Sequence, residues 1–206
     1  MDPLKRYPAA VAMIVATFIL AWALYDRLPP LMPGRWSIDG TIALWIPRIW
    51  AVLALPVSGA LATAVAATVL STRRYAPTVV TATAGLVLWA TITYLQAAMD
   101  PQNLPPKGLF VGVGVFLIVI GNLLGKVSWN YFFGIRTPWT TDDPEVWDRT
   151  HRIAGPVLVI GGALLISAAM VQVSVLMLTA LAIATILHPI AYSYWVWRRA
   201  ESQRQI

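Results

Sequence analysis

The run Ile153–Trp197 reads IAGPVLVIGGALLISAAMVQVSVLMLTALAIATILHPIAYSYWVW and contains no Asp, Glu, Lys or Arg. At 45 residues it is about twice the ~20 apolar residues that one helix needs to cross a bilayer. The polar break MVQVSV, around Gln172 and Ser174, therefore predicts a tight turn between two crossings. Working outward, four more runs have spanning character, which gives six spans: Pro8–Leu24, Ile49–Leu70, Pro77–Met99, Gly108–Gly125, Ile153–Val171 and Val175–Trp197. The expected fold is an all-α, polytopic membrane helical bundle.

Composition agrees. Of the 206 residues, 58% are hydrophobic and 12% charged, against about 45–50% and about 25% in soluble domains. The first apolar run continues past Leu20 to Tyr25 with no small-residue cleavage site, so it reads as a retained span. The chain has no cysteine, which excludes disulfides, thiolate metal sites and thiol nucleophiles. The net charge of +6 points to cytoplasmic loops rather than to nucleic acid.

The basic residues orient the bundle. Lys5, Arg6, Arg73, Arg74, Lys126, Arg136, Arg149, Arg152, Arg198, Arg199 and Arg204 fall on one side, and Arg27, Arg35, Arg48 and Lys107 on the other. The richer side is expected in the cytoplasm, with both termini. YSYWVWRR, at the end of span six, has the aromatic-then-arginine order of a headgroup boundary. In span four, Gly108 and Gly112, and Gly121 and Gly125, have small-xxx-small spacing. That spacing favours close packing inside the bundle over a dimer contact. A division at 1–107 and 108–206 separates three spans with a long external loop (26–47) from three spans with a long cytoplasmic connection (126–152).

That cytoplasmic connection carries the densest chemistry, NYFFGIRTPWT at Asn130–Thr140. Gly134 permits a positive φ, and Thr137 before Pro138 is held extended. Arg136, among aromatics, is expected to need a partner: Asp148, Glu145, a lipid phosphate or carbonyls. Tyr131, Phe132, Phe133 and Trp139 are expected to pack at the interface or under the bundle. In TTDDPEVWDRTHR, Asp142 or Asp143 caps a helix, Pro144 opens it and Glu145 suits its positive end. That helix should run unbroken into span five, with Asp148 and Arg152 paired at i,i+4 and Trp147 at the membrane surface beside His151. An anchor held by a structural ion pair and a ligand or partner site are both open readings of these residues.

The motif resembles that of the SdpI family. The pattern N-Y-F-x-G-I-R-T-P-W-T, then V-W-x-x-T-H-R, is met at Asn130, Tyr131, Phe132, Gly134–Thr140, Val146, Trp147, Thr150, His151 and Arg152, with Gly121 and Asn122 ahead of it. RLPPLMPGRWSIDG resembles an uncharacterised domain that often precedes this one; Leu28, Pro29, Pro33, Trp36 and Gly40 match, and Arg35 stands where a His is usual. The resemblance implies a multi-pass protein of the bacterial cytoplasmic membrane that confers immunity to a secreted toxic peptide. It also implies signalling through a cytoplasmic regulator. Asn122, Asn130, Arg136, Thr137, Trp139, Trp147, Thr150, His151 and Arg152 would form its partner- or ligand-binding face.

Two other classes of function compete. A small transporter or channel would use an intramembrane polar path of His188, Gln96 and Asn122. His188 lies before Pro189 and about 15 Å along a helix from Arg198; a neutral, packed histidine at a proline kink is the plainer reading. A membrane enzyme would place a lipid or peptide near Arg136 and His151. The two histidines sit in no metal-ligand spacing and no activated nucleophile accompanies His151, so no catalytic residue, metal or cofactor is expected. Membrane lipids are the expected surroundings.

Overall fold

The computed structural model describes residues 6–37, 41–100, 107–171 and 173–204. Six apolar helices form a bundle: α1 (Pro8–Leu24), α2 (Arg48–Val69), α3 (Ala76–Met99), α4 (Gly108–Leu124), α6 (Pro144–Met170) and α7 (Val175–Arg204), with a short α5 (Pro138–Asp142) between the fourth and fifth. Five are long and apolar enough to cross a membrane; α4 is apolar but has 17 residues, about 25 Å of helix. Large apolar side chains such as Trp22, Ile19, Leu61, Leu164 and Leu187 face outward. Backbone groups are satisfied within each helix, so these side chains can face lipid. The protein is a multi-pass membrane helical bundle. The turn expected between the last two spans lies between Met170 and Val175; Gln172 is outside the described residues.

α1 and α2 both pack on α3, α6 packs on α4 and α7, and α3 meets α4. The α4–α6 contact is a glycine seam. A methyl group on Gly114 would stand 2.6 Å from the Gly162 carbonyl oxygen, and one on Gly121 2.7 Å from that of Gly155. The pairs 114/162 and 121/155 advance in opposite directions, so the two helices are antiparallel with their backbones touching. Gly108 and Gly112 meet Thr93 and Trp89 of α3. Span four therefore spends its small residues on packing inside the bundle, as their spacing suggests.

The connection between α1 and α2 is more ordered than a loop. Leu31–Trp36 (β1) and Ile42–Pro47 (β2) form an antiparallel hairpin with register shifts at Pro33/Arg35 and Arg35/Trp36. Arg48 fixes its base, with Nη1 donating to the Tyr25 and Leu28 carbonyls at 2.9 and 3.0 Å and the guanidinium 4.2 Å from the Tyr25 ring centre. Tyr94 of α3 donates to the Pro33 carbonyl at 2.8 Å, and Met32 is fully buried in a cluster with Leu28, Leu95 and Ala98. Gly40 lies outside the described residues, and Arg35 is exposed.

Candidate functional site

The chain leaves α4 at Gly125 and folds against the start of α6 through a chain of saturated polar groups. Asn130 is the first. Its Oδ1 accepts from the Phe132 and Phe133 amides, both at 2.8 Å, and its Nδ2 donates to the Ser128 and Phe133 carbonyls at 3.0 and 3.1 Å. All four of its hydrogen-bonding positions are filled, which is how an amide can be buried without penalty. Phe133 then points into the bundle, 4.9 Å from the Tyr75 ring. Tyr131 and Phe132 face outward.

The second element is a box made by Gly134, Trp147 and His151. Trp147 is fully buried, and its indole donates to the Val127 carbonyl at 3.1 Å. The His151 ring stacks on it with centres 3.9 Å apart. Nδ1 of His151 faces the Trp147 carbonyl at 2.8 Å, and Nε2 accepts the Ile135 amide at 2.9 Å. A carbonyl only accepts, so Nδ1 carries the proton. The imidazole is therefore neutral, with both nitrogens engaged. Gly134 takes φ +134°, and any Cβ there would strike His151 Nε2 and the edge of Trp147.

The third element joins this box to the last span. Thr137 and Thr140 cap α5 reciprocally: the Thr137 amide donates to Thr140 Oγ1 at 2.9 Å, and the Thr140 amide to Thr137 Oγ1 at 3.4 Å. The Thr140 hydroxyl also donates to the Ile135 carbonyl at 2.8 Å. The cap aims Trp139 at α7, where its indole donates to Ser193 Oγ at 2.9 Å and its ring packs on Tyr194 and Trp197. Asp143 then caps α6 through the Glu145 and Val146 amides.

Trp139→Phe should remove one hydrogen bond while keeping the ring contacts, at a cost of about 1 kcal/mol. Thermal unfolding in detergent should show the same loss for Ser193→Ala and little more for the double variant. Additive losses would mean the two groups do not act together.

Several expectations change here. Arg136 is exposed and has no hydrogen bond or ion pair among the described residues. Its neighbours carry their aromatic side chains elsewhere, so its guanidinium is not enclosed by them and needs no protein partner. The ion pair on α6 is Glu145–Arg149 at 2.6 Å, not Asp148–Arg152, and all four residues are exposed. Exposed pairs of this kind contribute under about 1 kcal/mol. Trp147 is not a surface anchor, because the loop folds over it. Asn130, Trp147, Thr150 and His151 are buried, Thr137 and Trp139 partly so, and Asn122, Arg136 and Arg152 are exposed. The Thr150 hydroxyl is buried with no hydrogen-bond partner. The nine motif residues thus divide into a buried frame and an outer face. Arg136 and Arg152 flank the two ends of the Ile135–His151 hydrogen bond, so the frame fixes where both cations emerge. His188, Gln96 and Asn122 are all exposed, on three different helices, and Asn122 donates to its own helix at the Ile118 carbonyl. They do not meet in the bundle core.

The frame coincides with a known family. The SdpI/YfhL protein family model matches residues 126–193. The segment begins just before the carbonyl of Val127 that holds Trp147 and ends on Ser193, the acceptor for Trp139. Residues 126–193 are similar to the SdpI family. Likeness extends beyond it: the chain is 26% identical over 164 residues to Immunity protein SdpI of Bacillus subtilis (strain 168), covering 77% of this chain and 79% of the relative. No solved structure matches the chain.

Proposed function

We propose that this SdpI-family chain is a membrane immunity protein of the bacterial cytoplasmic membrane, protecting the cell from a membrane-active secreted toxin and signalling to a cytoplasmic regulator. The observation that carries the reading is the likeness to Immunity protein SdpI across 77% of the chain. The geometry supports a binding role over a chemical one. His151, the motif's titratable ring, has both nitrogens engaged and sits beneath the loop. The outer face offers two arginines suited to a carboxylate or phosphate on a partner. No residue is assigned a catalytic role. A transporter would need His188, Gln96 and Asn122 to line one path, and their outward placement favours immunity over transport.

The direct experiment is to express the chain in a toxin-sensitive bacterium and measure survival against secreted, membrane-active peptides. Protection from at least one is expected; growth indistinguishable from empty vector against all of them would overturn the reading.

The orientation belongs to the same proposal. Ser37, beside the hairpin, should be outside and Ser202, near the end of α7, inside. In intact cells an impermeant maleimide should label Ser37→Cys but not Ser202→Cys. Labelling of Ser202→Cys alone would invert the topology and place the arginine face outside.

A further inference from the structure

The ring of His151 is held in one protonation state by groups that cannot change their roles. It belongs to a residue only 2% exposed. Nδ1 lies 2.8 Å from the Trp147 carbonyl, which can only accept, and Nε2 takes the Ile135 amide at 2.9 Å, which can only donate. A proton added to Nε2 would set one N–H against another, with no lone pair between them. Among the described residues nothing else is hydrogen-bonded to Nε2, so the imidazolium would be a buried cation short of an acceptor. Stacking on Trp147 would offset part of that cost, because an indole face attracts a cation. It offers nothing to the new N–H.

The surrounding elements bring no counter-charge to the ring. Asp148 and Arg152 on α6, Lys126 and Arg136 on the connection, Asp142 on α5 and Arg198, the first arginine of α7, are all exposed. The ring makes no ion pair among the described residues. The buried Asp143 caps α6 through the Glu145 and Val146 amides, and α4 carries no charged residue. On the α3 side, Arg73 lies over Phe132 and Tyr75 packs against Phe133. If the bond to Ile135 fails, the connection is the side that yields. His151 is fixed in a helix of 27 residues, whereas residues 131–137 form no helix or strand.

We infer that His151 is a pH-sensitive latch: its neutral ring holds Ile135, and protonation releases Ile135 and with it the placement of Arg136 against Arg152. The sign follows from linkage. The closed state needs the neutral ring and the released state does not, so acid favours release. A free imidazole takes up its proton near pH ~6.5. Closure is therefore at full strength above that pH and weakens about tenfold for each unit below it, until the closed ring itself is protonated. The inference rests on the geometry of the frame and is independent of the immunity reading.

The test is amide hydrogen exchange of the full chain in nanodiscs, one pH unit above and one below this value, at about pH 7.5 and about pH 5.5. Protection of residues 131–137, corrected for the intrinsic pH dependence of exchange, should fall roughly tenfold at the lower pH. That of the hairpin strand Ile42–Pro47 should not change. Glutamine can accept from the Ile135 amide but does not titrate, so His151→Gln should keep its protection at both pH values. Where that variant fails to fold, nitrogen NMR of the wild-type histidine side chains takes its place, with His188 assigned from His188→Gln. His151 should then be the Nδ1–H tautomer at the higher pH and gain its second proton together with the loss of protection at residues 131–137. Equal protection of the wild type at the two pH values would overturn the latch. So would a pH response that survives His151→Gln, which would assign it to a carboxylate such as Asp143. A His151 that titrates while the segment stays protected would overturn it as well.

Discussion

Gly134→Ala should leave little folded protein in the membrane. Two costs add at that position. The backbone holds φ +134°, a conformation that costs a side-chain-bearing residue about 1–3 kcal/mol. The new methyl would also enter the space of His151 Nε2 and come within 2.7 Å of Trp147 Cη2; overpacking of this kind costs about 1–3 kcal/mol more. Neither ring can step aside cheaply. Trp147 is tied to Val127 and His151 to both Ile135 and Trp147. The sum, about 2–6 kcal/mol, is a large share of the ~5–15 kcal/mol that holds a typical domain. Gly125→Ala is the control: a Cβ there has nothing nearer than the His151 carbonyl at 4.0 Å, so it should be close to neutral. Detergent-solubilised protein, followed by heat unfolding and by membrane abundance, separates the two. Equal stability of both variants would show that the box is not rigid.

The spans were legible in the sequence because a bilayer imposes a length on them. The first helix, Pro8–Leu24, has its expected bounds, and the others start or end within a residue or so where no polar overhang is attached. α6 begins nine residues before the expected span, and this extension was itself readable from Asp143 and Pro144. The hairpin at Leu31–Pro47 was not legible. Its alternation is broken by two register shifts, and prolines at 33 and 47 read as loop. What stabilises it comes from far away in sequence: Arg48 on Tyr25 and Leu28, and Tyr94 on Pro33. The motif itself was visible, but not which of its residues face inward. Arg136 among four aromatics reads as a buried charge; only the Asn130 turn, which sends Phe133 inward, and the Thr137 cap, which sends Trp139 to α7, leave the arginine outside. The His151–Trp147 stack was foreshadowed by i,i+4 spacing, whereas its burial depended on the loop closing over it.

Arg136→Ala should abolish most of the protection while leaving the protein in the membrane at normal abundance. Its side chain is exposed and has no hydrogen bond or ion pair among the described residues, so its removal costs stability little. Truncating an arginine that is a hot spot of an interface costs about 2 kcal/mol or more, roughly thirtyfold in affinity. Arg136→Lys keeps the charge but loses the planar fork, so an intermediate loss is expected. Asp148→Asn should be silent, since Asp148 pairs with neither Arg136 nor Arg152 in the structure. The decisive measurement is survival of a toxin-sensitive host against the peptide from which the wild-type chain protects it, normalised to membrane abundance, for wild type, Arg136→Ala and Asp148→Asn. The account predicts full protection by wild type and Asp148→Asn and a loss of at least tenfold in tolerated toxin for Arg136→Ala, a conservative reading of that hot-spot value. Full protection by Arg136→Ala at normal abundance would contradict it.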